Sequence, residues 1–297
     1  MLNATAQTPR HSSSAELITL GRAGEALRDK ETQLVAWLRK AGSVLIGFSG
    51  GVDSAYLSAV ALETLGADHV LAVIGRSASY PAEQWTRARD VAAHLGLPVL
   101  ELDTAELADP RYASNPVNRC YFCKSELWSR LAPVAKERGL RVVCDGTNAD
   151  DVHDYRPGAA AAREWEIASP LAEHALTKDE IRTLSRLRDL PTWDIPSSPC
   201  LSSRLPYGTA VTPERLAQVE HAERALRVLG VRGDLRVRHH GALARVELPA
   251  AELADWLSPE RSRQLHRAVS EAGFQRVAID LRGFRSGSLN VLGGVAP

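Results

Sequence analysis

IGFSGGVDS, residues Ile46 to Ser54, lies between an apolar run that begins at Ser43 and the helical pattern AYLSAVALETLG. A short apolar run, a glycine-containing turn and a resumption at helical spacing read as strand, loop and helix. In that setting the N–H groups of the turn and of the first helical turn converge and favour an oxyanion. The two glycines let a phosphate come close to the backbone. Two other phosphate loops are excluded by spacing: no lysine follows Gly51 as G-x-x-x-x-G-K-[ST] requires, and the stretch is not G-x-G-x-x-G.

Working outward, EALRDKETQLVAWLRK (Glu25 to Lys40) has apolar residues at helical spacing and leads into a strand from Val44 to Phe48. HVLAVIG, PAEQWTRARDVAAHLG and PVLELD then continue as strand, helix and strand. This rhythm predicts an α/β fold with a parallel, Rossmann-like sheet and helices on both faces. CKSELWSRLAPVAKERG adds a helix, and LRVVCDG a strand ending in the turn-rich GTNADD. In open α/β sheets the ligand crevice lies beyond the carboxyl ends of the strands, where SGGVDS and DGTNADD both fall. Asp145, Asn148, Asp150 and Asp151 are therefore either a polar turn or the donors and acceptors that face a nucleotide or its reaction partner.

TKDEIRTLSRLRDLP closes this unit as a helix, and the Pro- and Ser-rich stretch after Pro191 reads as a linker or active-site loop. The remainder reads helix, strand, strand, helix, strand, with a hairpin turning at His240-Gly241, which makes a smaller α+β unit. The expected organisation is a disordered leader over 1–20, a domain carrying the phosphate loop over 21–190, a linker and active-site loop over 191–208 and the smaller α+β domain over 209–297. The 297 residues, 44% hydrophobic and 24% charged, suit two soluble domains. The polar leader lacks a signal-peptide core and the apolar runs are too short to span a bilayer, so the expectation is cytoplasmic with no membrane partner. Thirty-six basic residues balance thirty-six acidic ones, which argues against nucleic-acid coating and leaves a local basic groove open.

Four cysteines are too few for a disulfide framework. Cys120 and Cys123 form a C-x-x-C just before a helical run, and Cys200 is the natural third member. Cys144, inside an apolar strand, reads as core. The three open cysteines suit a [4Fe–4S] cluster with one iron unligated, a zinc site completed by a histidine, or a redox trio.

The S-G-G-x-D-S stretch resembles the pyrophosphate loop of the adenylating ATP pyrophosphatases, which cleave ATP between its α and β phosphates. That resemblance implies that Ser49, Gly50, Gly51 and Ser54 hold pyrophosphate and that Asp53 positions Mg²⁺. Taken together and in order, SGGVDS, NRCYFCK, DGTNADD, SPCLSSRLPYG and RVRHHGALARVELP resemble the LarE-type pyridinium-3,5-biscarboxylate mononucleotide sulfur transferases of nickel-pincer nucleotide biosynthesis. The resemblance implies adenylation of each substrate carboxylate, displacement of AMP by sulfur and release of a thiocarboxylate. It implies ATP, Mg²⁺, a small nucleotide substrate, a sulfur donor and a homo-oligomer. Family members donate sulfur either by surrendering that of the CLSSR cysteine, here Cys200, or by relaying sulfide through a three-cysteine [4Fe–4S] cluster. Cys120 and Cys123 beside Cys200 favour the cluster form.

Arg204, close after Cys200, is expected to lower the thiol pKa and hold a phosphate. The resemblance further implies that Arg236, Arg238 and Asp150 bind substrate and that Glu247 reaches a cation, with Glu220 or Glu223 joining it. The rival readings are a tRNA-thiolating enzyme of the same superfamily, disfavoured by the zero net charge, and a non-catalytic nucleotide-binding redox sensor.

Overall fold

The computed structural model of the protein describes residues 14–153 and 157–285. Helix α1 (Ser14–Ala41) leads into β1 (Val44–Gly47), α2 (Val52–Leu65), β2 (Val70–Arg76), α3 (Ala82–Leu95) and β3 (Val99–Asp103). After the short α4 (Pro110–Ala113) come α5 (Arg119–Glu137), β4 (Val142–Cys144), α6 (Pro157–Glu164), α7 (Pro170–Glu173) and α8 (Lys178–Leu187). The four strands form one parallel sheet in the order β3-β2-β1-β4, with Val44 opposite both Val70 and Val142.

A strand covered on both faces must be apolar on both, and β1 is: Val44, Leu45 and Ile46 are all fully buried. Val44 and Ile46 face the core made with α1, α2, α3 and α8, where Leu34 and Leu38 of α1 are also fully buried. Leu45 faces the opposite core with Val73, Trp128 and Leu131. Helix α2 lies so deep that of its first ten residues only Asp53 escapes burial. Helix α8 begins with a capping box, in which Thr177 Oγ1 accepts from the Glu180 N–H and Glu180 reaches back to the Thr177 N–H.

The second unit contains α9 (Pro213–Val228), β5 (Arg236–His240), β6 (Leu243–Glu247), α10 (Leu253–Trp256), α11 (Pro259–Glu271) and β7 (Arg276–Ile279). Its sheet runs β5-β6-β7, antiparallel between β5 and β6 and parallel between β6 and β7. Val237, Ala244 and Val246 form a core with Leu216 and Val219 of α9 and Leu265 of α11.

Several boundaries differ from the sequence reading. The first helix begins at Ser14 instead of Glu25, inside the expected leader, whose residues 1–13 lie outside the described residues. The hairpin turns on Gly241-Ala242, with Gly241 at φ +66°. Leu201, Leu205 and Val211, in and just after the expected linker, are buried in the second core together with Tyr112 of the first unit. That segment is polar between its leucines, so composition reads it as a tether, yet its few large apolar side chains are what the core takes up. Among the described residues no helix is long and apolar enough to cross a membrane.

Helix α5 approaches β1 closely because Gly47 has no side chain: a Cβ there would fall 3.0 Å from the Trp128 ring. Trp128 is fully buried. Trp128→Ala is expected to cost about 3–5 kcal/mol, read as a lower urea midpoint by circular dichroism.

Candidate active site

In the strand order β3-β2-β1-β4 the chain reverses direction across the sheet at the β1–β4 pair, so the loops leaving these strands part and open a crevice. The two loops meet at its base. A Cβ on Gly146, in the β4 loop, would lie 2.9 Å from the Ser54 N, so glycine is what allows the contact.

The loop after β1 is held from within. Ser49 Oγ and Ser54 Oγ are 3.2 Å apart, the Gly51 N–H donates to Ser49 Oγ at 3.4 Å, and Ser54 Oγ donates to the Gly51 carbonyl at 3.3 Å. Gly50 has φ +66°, and a Cβ on it would fall 2.5 Å from the Ala88 Cα of α3. The Ser49 carbonyl is tied down by Tyr80 Oη at 2.9 Å and Gln84 Nε2 at 3.3 Å.

Asp53 stands in the first turn of α2. Its Oδ2 is 2.6 Å from Lys178 Nζ, whereas its Oδ1 is buried without a partner. A carboxylate with one such oxygen fits Mg²⁺, which binds few protein oxygens and completes its shell with phosphates and water. The sequence reading did not single out Lys178. Its signal was the capping box, which places Lys178 at the first position of a helix that starts beside the strand ends.

The acidic loop after β4 is engaged mainly in its own folding. Asp145 Oδ1 accepts from the Thr147 N–H and Ser169 Oγ, and Asn148 Oδ1 accepts from the N–H groups of Asp150 and Asp151. Asp150 Oδ2 accepts from the Lys178 N–H at 2.8 Å, so it caps α8 and helps place that lysine. Loop N–H groups beyond a strand end need acceptors, and short Asp and Asn side chains supply them.

Cys120 and Cys123 occupy the start of α5, and Cys200 immediately precedes a 3₁₀ turn over Leu201–Arg204. This cysteine loop is fastened on every side. The Leu201 N–H donates to the Ser79 carbonyl at 2.8 Å, Tyr112 Oη and Ser202 Oγ are 2.7 Å apart, and Arg119 Nη1 donates to the Ser202 carbonyl at 3.1 Å. From the second unit Arg236 donates to the Ser197 carbonyl at 3.2 Å and Arg238 to the Ser203 carbonyl at 3.0 Å.

Arg204 departs from its expected role. Its Nε and Nη2 each lie 3.0 Å from Glu223, and its Nη1 donates to the carbonyls of Pro199 and Cys200. The guanidinium is buried and holds the backbone around the cysteine, with no nitrogen left over for a phosphate.

The cation beside the thiols is Arg119, which the sequence reading passed over. Burial works against its charge, but Cys200 and Cys120 raise its pKa above the ordinary arginine value. Solvent touches Cys120, yet the protein around it and the neighbouring Cys200 push its thiol up, against the pull of Arg119 and Lys124. Cys123 is pushed up as well, by burial first and then by Glu106, Cys200 and Cys120. The three cysteines thus share one neighbourhood. Among the described residues, however, no three metal-ligating side chains form a group that could hold an ion. Cys144 is fully buried in the sheet core, as its strand context predicts.

Glu247 is also fully buried, and its two oxygens lie 2.8 Å from Arg238 and 3.0 Å from Arg245. Two guanidiniums neutralise the charge that a cation would need, so the expected metal role has no support here. Glu223 faces inward and also accepts from the Val237 N–H, while Glu220 accepts from the Ala82 N–H at 2.6 Å. Among the described residues Arg236 has no carboxylate partner at hydrogen-bond distance: its donors go to the Leu235 and Ser197 carbonyls, and it lies over the Phe284 ring. Burial, followed by repulsion from Arg204, brings its pKa down to about 10.

Two substitutions test these contacts. Gly146→Ala is expected to force the β1 and β4 loops apart and weaken ATP binding by about tenfold or more, measured by calorimetric titration, while the fold persists. Glu223→Ala leaves the Arg204 charge buried and unpaired, at a cost of about 3–5 kcal/mol. Limited proteolysis of that variant should cut between residues 196 and 206, where the native chain resists.

A family model described as NAD synthase matches residues 28–119. The chain is 42% identical over 264 residues to an uncharacterized protein of Synechocystis sp., covering 89% of this chain and 98% of that one. It is 38% identical over 264 residues to the pyridinium-3,5-bisthiocarboxylic acid mononucleotide synthase of Lactiplantibacillus plantarum, covering 89% and 95%. An uncharacterized protein of Methanocaldococcus jannaschii is 29% identical over 248 residues, covering 82% and 91%. With a parallel α/β sheet, an S-G-G-x-D-S loop at its switch point and this extent of identity, the chain belongs to the family of the pyridinium-3,5-bisthiocarboxylic acid mononucleotide synthases, on a PP-loop ATP pyrophosphatase fold.

Proposed function

We propose that the protein is an ATP-dependent sulfur transferase that converts the carboxylates of pyridinium-3,5-biscarboxylic acid mononucleotide into thiocarboxylates, a step towards the nickel-pincer cofactor. The relative's name specifies a bisthiocarboxylic acid product, so two oxygens must be exchanged for sulfur. The observation that carries the reading is the clamp on the cysteine loop. Leu201 is bonded to Ser79 at the carboxyl end of the ATP-domain sheet, and the loop's other face is bonded to Arg236 and Arg238.

Carboxylate oxygen is a poor leaving group and AMP a good one. A substrate carboxylate oxygen attacks the α-phosphorus of ATP, the bond to the bridging oxygen breaks, and acyl-adenylate and pyrophosphate result. Ser49, Gly50, Gly51 and Ser54 present N–H and hydroxyl groups to the departing pyrophosphate. Asp53, with its buried unpartnered oxygen, would hold Mg²⁺, whose chemistry would be to offset negative charge on the phosphates. The Cys200 thiol then loses its proton to solvent base, and its sulfur attacks the acyl carbon and expels AMP to give a thioester.

Each of two modes of release is favoured by one observation. In the first, the Cα proton of Cys200 leaves, the Cβ–S bond breaks, and a thiocarboxylate departs with dehydroalanine left in the chain. The lack of a closed ligand group among the described residues favours it. In the second, no thioester on Cys200 forms: Cys120, Cys123 and Cys200 would hold a [4Fe–4S] cluster, whose chemistry would be to supply an exchangeable sulfide in place of the Cys200 sulfur, and the chain would stay intact. The shared field of these thiols favours that one.

Cys200→Ser is expected to retain pyrophosphate release that depends on the pyridinium dicarboxylate and to form no thiocarboxylate; thiocarboxylate from that variant would overturn the role of Cys200. Intact-chain mass spectrometry after turnover separates the modes. Loss of H₂S at residue 200 marks sacrifice, and unchanged mass over repeated turnovers marks relay.

A further inference from the structure

Glu106 opens a 3₁₀ turn just after β3, is only 2% exposed, and takes no part in the chemistry described above. Among the described residues no cation stands at ion-pair distance from it. Its two oxygens are taken by hydroxyls instead: Ser79 Oγ donates to Oε1 at 2.7 Å and Thr104 Oγ1 to Oε2 at 2.9 Å. The Thr104 N–H in turn donates to the carbonyl of Arg76, the last residue of β2, at 2.8 Å.

A carboxylate buried with neutral donors alone is costly, and what this one does is fix a direction. Being acceptor-only, it forces the Ser79 hydroxyl hydrogen towards itself. The lone pairs of Ser79 Oγ are then left for Ser77 Oγ, 2.8 Å away, which also accepts from the Ser79 N–H at 3.2 Å. The hydrogen bonds of this segment therefore run in one sense, set from Glu106.

The segment so fixed, residues 77–80, joins the two halves of the site. Ser79 is 3% exposed, and its carbonyl accepts from the Leu201 N–H of the cysteine loop at 2.8 Å. Tyr80 Oη donates to the Ser49 carbonyl of the phosphate loop at 2.9 Å. Glu106 also borders the thiols: burial first, and Glu106 next, push the Cys123 thiol up.

We propose that Glu106 is a positioning residue for sulfur transfer: by anchoring residues 77–80 from the end of β3, it holds the phosphate loop and Cys200 at the spacing that lets sulfur capture the acyl-adenylate. The inference rests on the reading under Proposed function and adds what decides the fate of its intermediate. With the spacing kept, sulfur attacks the acyl carbon and AMP leaves. With the spacing lost, water attacks that carbon, AMP leaves, a proton goes to solvent, and the carboxylate returns with one ATP consumed and no product.

The test counts pyrophosphate and thiocarboxylate from the anaerobically purified full chain, in excess over the pyridinium dicarboxylate mononucleotide, with ATP and Mg²⁺. Native protein is compared with Glu106→Gln, Glu106→Ala and Ser79→Ala. Glutamine still accepts from Ser79 through its carbonyl oxygen, so that variant is expected to keep the ratio of thiocarboxylate to pyrophosphate within about twofold of native. Glu106→Ala and Ser79→Ala are expected to lose about tenfold or more of that ratio. Pyrophosphate release should stay within about threefold, because the phosphate loop keeps its internal bonds and its tie to Gln84. Hydrogen exchange of the peptide spanning Leu201 should quicken in the same two variants. Ser79→Ala removes one hydroxyl oxygen and leaves the carbonyl that binds Leu201, so it decides the matter alone if Glu106→Ala does not fold.

An unchanged ratio, or unchanged exchange at Leu201, in both alanine variants overturns the inference and leaves the sulfur-transfer reading standing. A fall of both products at constant ratio marks a merely structural role and overturns it too. So does a Glu106→Gln variant as uncoupled as Glu106→Ala, since the carboxylate would then act by its charge. A native chain that releases no pyrophosphate with the dicarboxylate sinks the sulfur-transfer reading itself.

Discussion

Arg204 and Glu223 form a two-pronged ion pair at the junction of three elements: the cysteine loop, α9 and the start of β5. Arg204 is only 3% exposed, so its charge is stable there only because Glu223 matches both prongs and the loop carbonyls absorb the remaining nitrogen. Glu223 extends the junction by accepting from the Val237 N–H. The loop around Cys200 has prolines at 196, 199 and 206 and few ladder hydrogen bonds of its own, and guanidiniums supply the donors that its carbonyls lack. Its conformation is therefore imposed from the second unit more than encoded locally.

That dependence explains what could be read from the chain. Strand β1 was legible because Val44, Leu45 and Ile46, buried in succession, leave no polar face to mistake, and the phosphate loop because Gly50 is fixed by a positive φ and a close contact that only glycine permits. Lys178 and Arg119 were not, because each matters through groups far away in sequence: 125 residues separate Lys178 from Asp53, and 83 separate Arg119 from the Ser202 carbonyl it binds. The acidic loop after β4 was open to two readings, since an Asp that folds a turn and an Asp that faces a ligand have the same local signature. The Pro- and Ser-rich segment misled in the opposite sense. Its composition is that of a tether, but Leu201 and Leu205 belong to a core assembled from both units.

A formal charge of zero hides a sorting of arginines that only the fold reveals. Arg238 and Arg245 stand directly opposite each other on β5 and β6, an arrangement that repels until Glu247 is placed between them. Arg188 is similarly satisfied by Glu31 and Glu63. Guanidiniums matched in this way are parts of the scaffold. Arg87, Arg224 and Arg236 all line one cavity, and among the described residues none of the three has a carboxylate at hydrogen-bond distance.

The positions of the phosphate loop and the cysteine loop bear on how sulfur reaches its target. The phosphate loop lies beyond β1, and the cysteine loop is bonded to both units, through Leu201 to Ser79 in the segment after β2 and through Ser197 to Arg236 of β5. On the proposed reading Cys200 is a stationary nucleophile, and the activated acyl carbon is brought to it. Rigid fastening, which would hinder a mobile carrier, becomes an advantage for a stationary nucleophile, because every hydrogen bond that fixes the loop also removes orientations in which attack fails.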